Sequence, residues 1–299
     1  NKVMNLSVSM ITFQGAAYLK AQMDSILGQS IPVHEIIVCD DGSTDGTREI
    51  LATYAADYPH IQLHFNEKNL GTVANMQQCL RKTTGDLIFL ADQDDVWLPN
   101  KVEKTLAFFQ ENPDADAAFS NAEIIDEVGE TQHGMTLWDI IGFPYDQVEL
   151  ADFERRVDNV VTGAGLAFKR NPELLEQDIP QIPGLLHDGW IGLYFAAKNT
   201  LKAYPDKLFQ YRSHANQQVG GKIKERQALF DFNLALYDGV PVMKDFATWK
   251  AAMKRLYTNL DLPFMDKAKI QDQIELYAEY GKTYFQLRSS LFLFVKAIR

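Results

Sequence analysis

Three carboxylates, Asp92, Asp94 and Asp95, lie within four consecutive positions of the chain. They directly follow the apolar run 86–91, which is typical of a buried strand. Like charges packed this closely repel one another and raise one another's pKa unless a positive charge lies among them. Because Mg²⁺ and Mn²⁺ prefer carboxylate oxygens, the cluster predicts a divalent-cation site just past the strand. An acidic turn in solvent is the alternative interpretation.

A second acidic pair, Asp40 and Asp41, ends another strand-like run and opens the sequence Asp-Gly-Ser-Thr-Asp-Gly-Thr at 41–47. A turn followed by a helix that Asp45 or Thr47 caps accounts for most of this sequence. It does not account for two acids at the end of the strand. A carboxylate there can accept a hydrogen bond from a nucleobase N–H or a ribose hydroxyl group.

The surrounding pattern explains how these acids come together. Residue periodicity predicts strands at 6–12, 34–40, 59–65 and 86–91, alternating with helices at 16–29, 47–58 and 73–82. This order predicts an α/β fold with a mostly parallel sheet and helices on both of its faces. Ligands of such sheets bind at the carboxyl ends of the strands. Five polar residues fall at those ends: Thr12, Asp40, Asp41, Asp92 and Asp94.

The pattern changes after about residue 115. A short strand is predicted at 117–121, a turn at 126–130, an irregular segment at 131–155, a strand at 159–169, a helix at 188–198 and a last strand at 206–212. The irregular segment is long enough to act as a binding loop or lid. Gly163 and Gly165 interrupt the strand that contains them, which predicts a close backbone approach. Beyond a boundary near Gly220-Gly221, helices are predicted at 222–238, 243–260 and 266–295.

The composition, with 46% hydrophobic and 23% charged residues, is ordinary for a soluble globular protein. A net charge of −11 argues against a general nucleic-acid-binding function. Cys39 and Cys79 have no metal-ligand spacing, which favours buried, reduced thiols in a cytoplasmic protein. No stretch reads as a signal segment or reaches the roughly 20 apolar residues of a membrane span, so we expect neither.

Two other nucleotide-binding folds lack their motifs here. A Rossmann dinucleotide site needs Gly-x-Gly-x-x-Gly between the first strand and helix, where this chain has only Gly15. The Gly163-Ala164-Gly165 sequence comes far too late, and no P-loop sequence occurs. We therefore expect no nicotinamide, flavin or Walker-type nucleotide site.

A series of segments resembles a known family. They are 7–12 (Ser-Val-Ser-Met-Ile-Thr), 40–47 (Asp-Asp-Gly-Ser-Thr-Asp-Gly-Thr), 69–75 (beginning Asn-Leu-Gly), 85–95, 161–165 (Val-Thr-Gly-Ala-Gly), 187–190 (His-Asp-Gly-Trp) and 211–214 (Tyr-Arg-Ser-His). In their order and spacing the chain resembles the family-2 glycosyltransferases, nucleotide-diphospho-sugar enzymes of GT-A fold. The later segments, with Ala-Asp-Gln-Asp-Asp-Val-Trp at 91–97, resemble the bacterial rhamnosyltransferase branch.

The resemblance implies a cation site. Asp92-Gln93-Asp94 matches the family's Asp-x-Asp motif, in which Asp92 faces the ribose or the metal and Asp94 holds Mn²⁺ or Mg²⁺ on the diphosphate. Alternate residues of an extended segment point the same way, so the two acids can converge while Gln93 turns away. His214 is implied as a further metal or diphosphate ligand, with a structural role as the alternative.

The resemblance also implies a nucleoside site and a catalytic base. Thr12 and Asp41 would contact a pyrimidine nucleoside, with Asn69 nearby. Asp188 matches the base position and would take the proton of the acceptor hydroxyl group, on the far side of the sugar from the leaving group, which gives inversion. The alternative is that Asp188 caps the helix that begins there. His187 stands where the family more often has an acid.

The implied function is metal-dependent, inverting transfer of a sugar to a hydroxyl group of a bacterial surface polysaccharide or lipid-linked glycan. The branch resemblance implies dTDP-L-rhamnose as donor, and a UDP-hexose is the alternative. A sugar-1-phosphate nucleotidyltransferase would need a Gly-rich loop with Arg and Lys after the first strand, which is missing. A non-catalytic glycan-binding or assembly protein is the remaining alternative.

We expect a catalytic domain at 1–220 and a helical region at 221–299. The nucleotide-sugar site would lie at about 1–115 and the acceptor side at about 116–220. The tail 282–299 combines basic and apolar residues and contains no acidic residue. It could lie on an anionic membrane surface, which would make this cytoplasmic protein a peripheral membrane protein. Alternatively, it could pack on the catalytic domain or in a homodimer interface.

Overall fold

The structure is a computed structural model that describes residues 4–141, 143, 145, 161–179, 186–198 and 200–214. Its strands are Leu6–Thr12 (β1), Glu35–Asp40 (β2), Ile61–Phe65 (β3), Leu87–Asp92 (β4), Val96–Trp97 (β5), Ala117–Ile125 (β6), Thr131–Thr136 (β7), Leu166–Lys169 (β8) and Leu201–Arg212 (β9). Its helices are Ala16–Leu27 (α1), Thr47–Asp57 (α2), Thr72–Lys82 (α3), Lys101–Glu111 (α4), Leu137–Ile140 (α5), Pro172–Glu176 (α6) and His187–Ala197 (α7).

The described strands form one mixed sheet in the order β3-β2-β1-β4-β8-β6-β9-β5, with β7 paired to β6. Strands β3, β2, β1 and β4 run parallel to one another. Strand β8 is antiparallel to both β4 and β6, and β5 is antiparallel to β9. The sheet therefore confirms the predicted α/β class and its mostly parallel first half.

Strand β4 shows why the sheet is covered on both faces. Phe89 packs in a buried cluster with residues of α1, whereas Ile88 and Leu90 pack in a second cluster with Met76 of α3. Successive side chains of a strand point to opposite faces, so a strand buried on both sides needs an unbroken apolar run. The apolar run that predicted this strand therefore reflects its burial on both faces.

The second half departs from the sequence prediction. The short strand predicted at 117–121 continues to Ile125, and residues 131–140, predicted as irregular, form β7 and α5. The turn at 126–130 is confirmed, and it joins β6 to β7 as an antiparallel pair. The β7 sequence is mostly polar and gave no strand signal. A reciprocal cap between Thr136 and Asp139 starts α5.

The strand predicted at 159–169 is also shorter than expected. Of its described residues 161–169, Gly163–Gly165 form a 3₁₀ turn and Leu166–Lys169 form a strand. A Cβ atom on Gly165 would lie 2.8 Å from the carbonyl oxygen of Ser120. The close backbone approach predicted from the glycines is therefore present at Gly165.

Three elements had no prediction: β5, α4 and α6. The domain boundary near residue 220, the later helices, the tail 282–299 and most of the segment 142–160 lie outside the described residues. None of the helices in the described part of the chain has the length and apolar character that a bilayer span requires.

Candidate active site

The carboxyl ends of three neighbouring strands form one edge of the site. In the parallel registers, Thr12 of β1 pairs with Asp40 of β2, and Ile11 pairs with Asp92 of β4. The adjacency of the first and second acidic segments, expected from the α/β pattern, is thus observed.

The two acids after β2 have different surroundings. Asp40 is fully buried and accepts hydrogen bonds from the side chains of Thr12, Ser43 and Arg48. Burial alone would raise the pKa of Asp40, but the hydrogen bonds from Ser43, Arg48 and Thr12 together hold it below its usual value. The Thr12 hydroxyl, predicted to contact a nucleoside, is therefore committed to Asp40 in this structure.

Asp41 holds the loop that precedes α3. Its carboxylate accepts hydrogen bonds from the Asn66 side chain and from the backbone N–H groups of Leu70 and Gly71, at 2.7–2.9 Å. Asn69 lies exposed in the same loop. The structure thus brings Asp41 and Asn69 together, with Asp41 shaping the loop and only 3% exposed.

The segment after Asp41 does not cap its helix as predicted. The N-cap of α2 is Gly46, in the left-handed conformation that favours glycine, so neither Asp45 nor Thr47 is the N-cap. Asp45 instead accepts hydrogen bonds from the Thr47 hydroxyl and from the backbone N–H of Ala16 at the start of α1. The acid joins the loops after β1 and β2.

Gln93 fixes the position of the Asp92-Gln93-Asp94 segment. Its side-chain amide makes two hydrogen bonds of 2.9 Å with the backbone N–H and carbonyl of Phe13. Gly15 lies so close to this amide that a side chain there would collide with it. The middle residue of the motif is therefore bound to the loop after β1.

The carboxylates of this segment carry more negative charge than their surroundings balance. Burial, together with the charges of Asp94 and Asp188, raises the pKa of Asp92 to about 7, against the opposing effect of Lys101. Burial, with Asp94 and Asp92, also raises the pKa of Asp95 well above its usual value. Within the described residues, Asp95 Oδ2 is buried without a hydrogen-bond partner. A positive charge in this region would stabilise the ionised acids.

Asp94 and His214 lie in direct contact, with Oδ2 2.8 Å from Nε2. The β5–β9 pairing, in which Trp97 lies opposite Phe209, brings these two distant segments together. In the described part of the chain, no three His, Cys, Asp or Glu side chains are grouped closely enough to hold a metal ion. Two of the three predicted ligands are thus in contact, and Asp92 does not complete a group with them.

Arg212 stabilises the same region. Arg212 is 5% exposed, although residue type alone would place an arginine at the surface. Its guanidinium group donates hydrogen bonds to the carbonyl oxygens of Asp94, Asp126 and Glu127, and its backbone N–H donates to Asp95. Arg212 therefore joins the acidic segment to the β6–β7 turn.

Asp188 is the second residue of α7, so the alternative N-cap role is not observed. Its carboxylate accepts hydrogen bonds from the backbone N–H groups of Gly163, at 2.9 Å, and Gly189, at 2.7 Å. His187 is buried beside Gly163, and burial lowers its pKa against the opposing charge of Asp188. The electrostatic effect of Asp188 on Asp92 places the predicted base near the acidic segment.

Lys101 is a residue of the site that the sequence did not reveal. It is 2% exposed at the start of α4, and its Nζ donates a hydrogen bond of 2.9 Å to the Ala164 carbonyl. Asn100 at the N-cap, with Glu103 three residues later, is a usual helix-start signal and could have predicted α4. Because lysine is normally solvent-exposed, nothing in its residue type pointed to burial.

A comparison with protein families decides the classification. The sequence profile of "Glycosyl transferase family 2" matches residues 7–172, which is more than half of the chain. The chain belongs to glycosyl transferase family 2. The match begins at Ser7 in β1 and extends through β8, so it includes Thr12, Asp41, Asn69, Asp92 and Asp94. Asp188 and His214 lie beyond its end.

Sequence relatives of this family-2 chain include two proteins of Bacillus subtilis (strain 168). The glycosyltransferase EpsE is 37% identical over 125 residues, which are 42% of this chain and 45% of EpsE. The teichuronic acid biosynthesis glycosyltransferase TuaG is 37% identical over 106 residues, 35% of this chain and 42% of TuaG. Both names are themselves provisional. The chain spans less than half the length of either relative.

Solved structures share the fold of this family-2 chain at low sequence identity. S. aureus TarS 1-349, in complex with UDP-GlcNAc, has a TM-score of 0.55 and 17% identity, covering 93% of this chain and 73% of that one. The mannosyltransferase PcManGT from Pyrobaculum calidifontis, in complex with GDP-Man and Mn²⁺, has a TM-score of 0.53 and 18% identity, covering 96% and 85%. The likeness confirms the GT-A type of fold.

Proposed function

We propose that this family-2 chain transfers a sugar, with inversion, from a nucleoside-diphosphate donor to a hydroxyl group of a bacterial cell-surface glycan. One observation carries the proposal: the Asp188 carboxylate of α7 accepts a hydrogen bond from Gly163, in the turn that packs against β4, and β4 ends at Asp92. A base and an acidic cation-binding segment beside each other are what sugar transfer from a diphosphate requires.

The residues present fit a divalent cation. Asp94 and His214 supply a carboxylate oxygen and an imidazole nitrogen in contact with each other, and both are ligands that Mn²⁺ accepts. Asp92, Asp94 and Asp95 lie within four positions, and Asp95 Oδ2 is buried without a hydrogen-bond partner among the described residues, so a bound cation would stabilise the segment. Asp94 and His214 would hold the ion, with Asp92 beside them, and the donor phosphates would complete the coordination. When bound, the ion would neutralise charge on the departing diphosphate.

The remaining residues divide the work. Asp188 would accept the proton of the acceptor hydroxyl group, and the hydrogen bonds from Gly163 and Gly189 would hold its carboxylate in place. Asp41 would contribute to nucleoside binding indirectly, by fixing the loop that contains Asn69. Thr12 would contribute through its hydrogen bond to Asp40, at the carboxyl ends of the same strands.

We propose dTDP-L-rhamnose as the donor, with a UDP-hexose as the alternative. The support for rhamnose is the sequence of residues 91–97 and 187–190, which resembles that of the rhamnosyltransferase branch. The neighbours of similar fold are described with UDP-GlcNAc and with GDP-Man, so the fold alone does not select the nucleotide.

For the acceptor we propose a polysaccharide or lipid-linked glycan. TuaG is named for teichuronic acid biosynthesis, which supports a polysaccharide. A lipid-linked acceptor would favour a cytoplasmic enzyme whose tail 282–299 contacts the inner membrane surface. Deleting 282–299 and measuring co-sedimentation with anionic vesicles tests that contact, and unchanged binding would refute it.

The experiment that tests the function is calorimetric titration of dTDP and of UDP, each with Mn²⁺ and with a chelator, followed by turnover of the matching sugar nucleotide. Cation-dependent binding of dTDP in preference to UDP supports the rhamnosyl donor. Preference for UDP would identify a UDP-hexose as the donor and would leave the proposed reaction unchanged. Binding of neither nucleotide, or binding without turnover of any sugar nucleotide, would favour a non-catalytic glycan-binding protein.

A further inference from the structure

Lys101 occupies an unusual position for a lysine. Its side chain is almost fully buried, and Nζ lies 4.9 Å from the ring centroid of Trp97 and 4.6 Å from that of Phe209. Burial lowers the pKa of Lys101 to about 7, although Asp95 and Asp92 oppose this effect. Within the described residues, Nζ has one hydrogen-bond acceptor, the Ala164 carbonyl. A buried amine with a single acceptor is costly, so the contact calls for an explanation.

The Ala164 carbonyl belongs to the 3₁₀ turn Gly163–Gly165, whose first residue donates its N–H to Asp188 Oδ2. One hydrogen bond therefore connects Lys101 to the turn, and a second connects the turn to Asp188. The turn is also tightly packed: a Cβ atom on Gly163 would lie 3.3 Å from His187 Nε2 and 3.6 Å from Asp188 Oδ2. Its conformation and the position of the Asp188 carboxylate are thus coupled.

We propose that Lys101 is a positioning residue for the transfer step: it holds the Gly163–Gly165 turn so that the turn's N–H fixes the Asp188 carboxylate. The inference rests on the proposed function, in which Asp188 is the base. It goes further by assigning the base's alignment to a lysine that follows the acidic segment in sequence. Lys101 itself touches neither donor nor acceptor in this assignment.

The test is a double-mutant cycle on the full chain with Lys101→Met and Gly163→Ala. Each single variant should lower kcat about 10- to 100-fold, because a small displacement of a catalytic group has that effect. Each should leave the affinity for dTDP with Mn²⁺ within about threefold of wild type, since neither residue lies among the proposed cation ligands. The kcat of the double variant should lie within about threefold of the kcat of the slower single variant, because both residues act through one turn.

A matched control is Lys104→Met, one turn along α4, which removes an exposed ion pair with Asp206. It should keep wild-type kcat. If Lys101→Met does not fold, Lys101→Gln takes its place in the cycle, because its shorter side chain keeps an N–H donor.

Three results would overturn the proposal: an unchanged kcat in the Lys101 variant, kcat losses that multiply in the double variant, or equal losses of kcat and dTDP affinity. A wild-type chain that turns over neither dTDP-L-rhamnose nor a UDP-hexose would instead remove the proposed function on which it rests.

Discussion

The Asp94 carboxylate and the His214 imidazole are in contact, with Oδ2 and Nε2 2.8 Å apart, although 120 positions separate the residues in sequence. Tyr18 packs against the histidine ring, with centroids 4.8 Å apart. The contact joins the end of the last described strand to the segment after β4, and it brings together two proposed cation ligands of different chemical type.

His214→Ala should weaken dTDP binding in Mn²⁺ about 10- to 100-fold, because loss of a residue that binds or orients the ion lowers metal affinity by that amount. In chelator, the variant and the wild type should bind dTDP equally. Titration calorimetry measures both conditions. His60→Ala, before β3, is the control and should match wild type in each. Equal weakening of the His214 variant in Mn²⁺ and in chelator would show that His214 is structural.

Asp188→Asn should reduce kcat by about 10²- to 10⁴-fold, since it removes a proton acceptor and keeps the shape of the side chain. The amide oxygen can still accept a hydrogen bond from Gly163, so donor binding should persist. Initial-rate assays and dTDP titration separate the two effects. Asp178→Asn, in an exposed ion pair with Arg81, serves as the control. Simultaneous loss of turnover and nucleotide binding would indicate that Asp188 holds the fold instead.

The part of the candidate site at the carboxyl ends of neighbouring parallel strands could be predicted from the sequence. Asp92 and Asp40 follow unbroken apolar runs, so their strands, and the adjacency of those strand ends, could be read from periodicity. The contact of Asp94 with His214 is different. It depends on β5, two residues long, pairing with β9, and such a short strand leaves no periodic signal. Only the family resemblance pointed to His214.

Buried charged residues escaped the sequence prediction for a physical reason. Nothing in the sequence indicated that Lys101 and Arg212 are buried, because residue type alone places charges on the surface. Both are buried since each has backbone carbonyl acceptors, which the sequence cannot show: Ala164 for Lys101, and Asp94 among others for Arg212. The hairpin after β6 was missed for the opposite reason, its second strand being polar.

Arg212→Met should lower the free energy of unfolding by at least about 1.5–3 kcal/mol, because hydrogen bonds from a buried guanidinium group are lost and their carbonyl acceptors stay buried. The loss of the bond to Asp94 should also weaken Mn²⁺-dependent dTDP binding. Urea unfolding and calorimetry measure these two quantities. Lys207→Met, on the same strand and half-exposed, should change neither. A stable variant with normal cation dependence would mean that Asp94 keeps its position without Arg212.

Arg48→Met should destabilise the fold at pH 7 by about 1.5–3 kcal/mol, since Arg48 donates a hydrogen bond to the buried Asp40 carboxylate. The pKa of Asp40 is held below its usual value, so its contribution to stability is present above the unfolded-state pKa of about 3.9 and is lost as the pH falls through the folded-state pKa. The difference between variant and wild type should therefore be constant from pH 8 to about 5 and should narrow below about pH 4. Urea unfolding across this range measures the difference, with Lys20→Met, in an exposed pair with Asp24, as a control that stays near zero. A difference that persists unchanged at pH 3 would show that Arg48 stabilises the fold through its contacts with Phe65 and the Asn66 carbonyl, and not through the charge of Asp40.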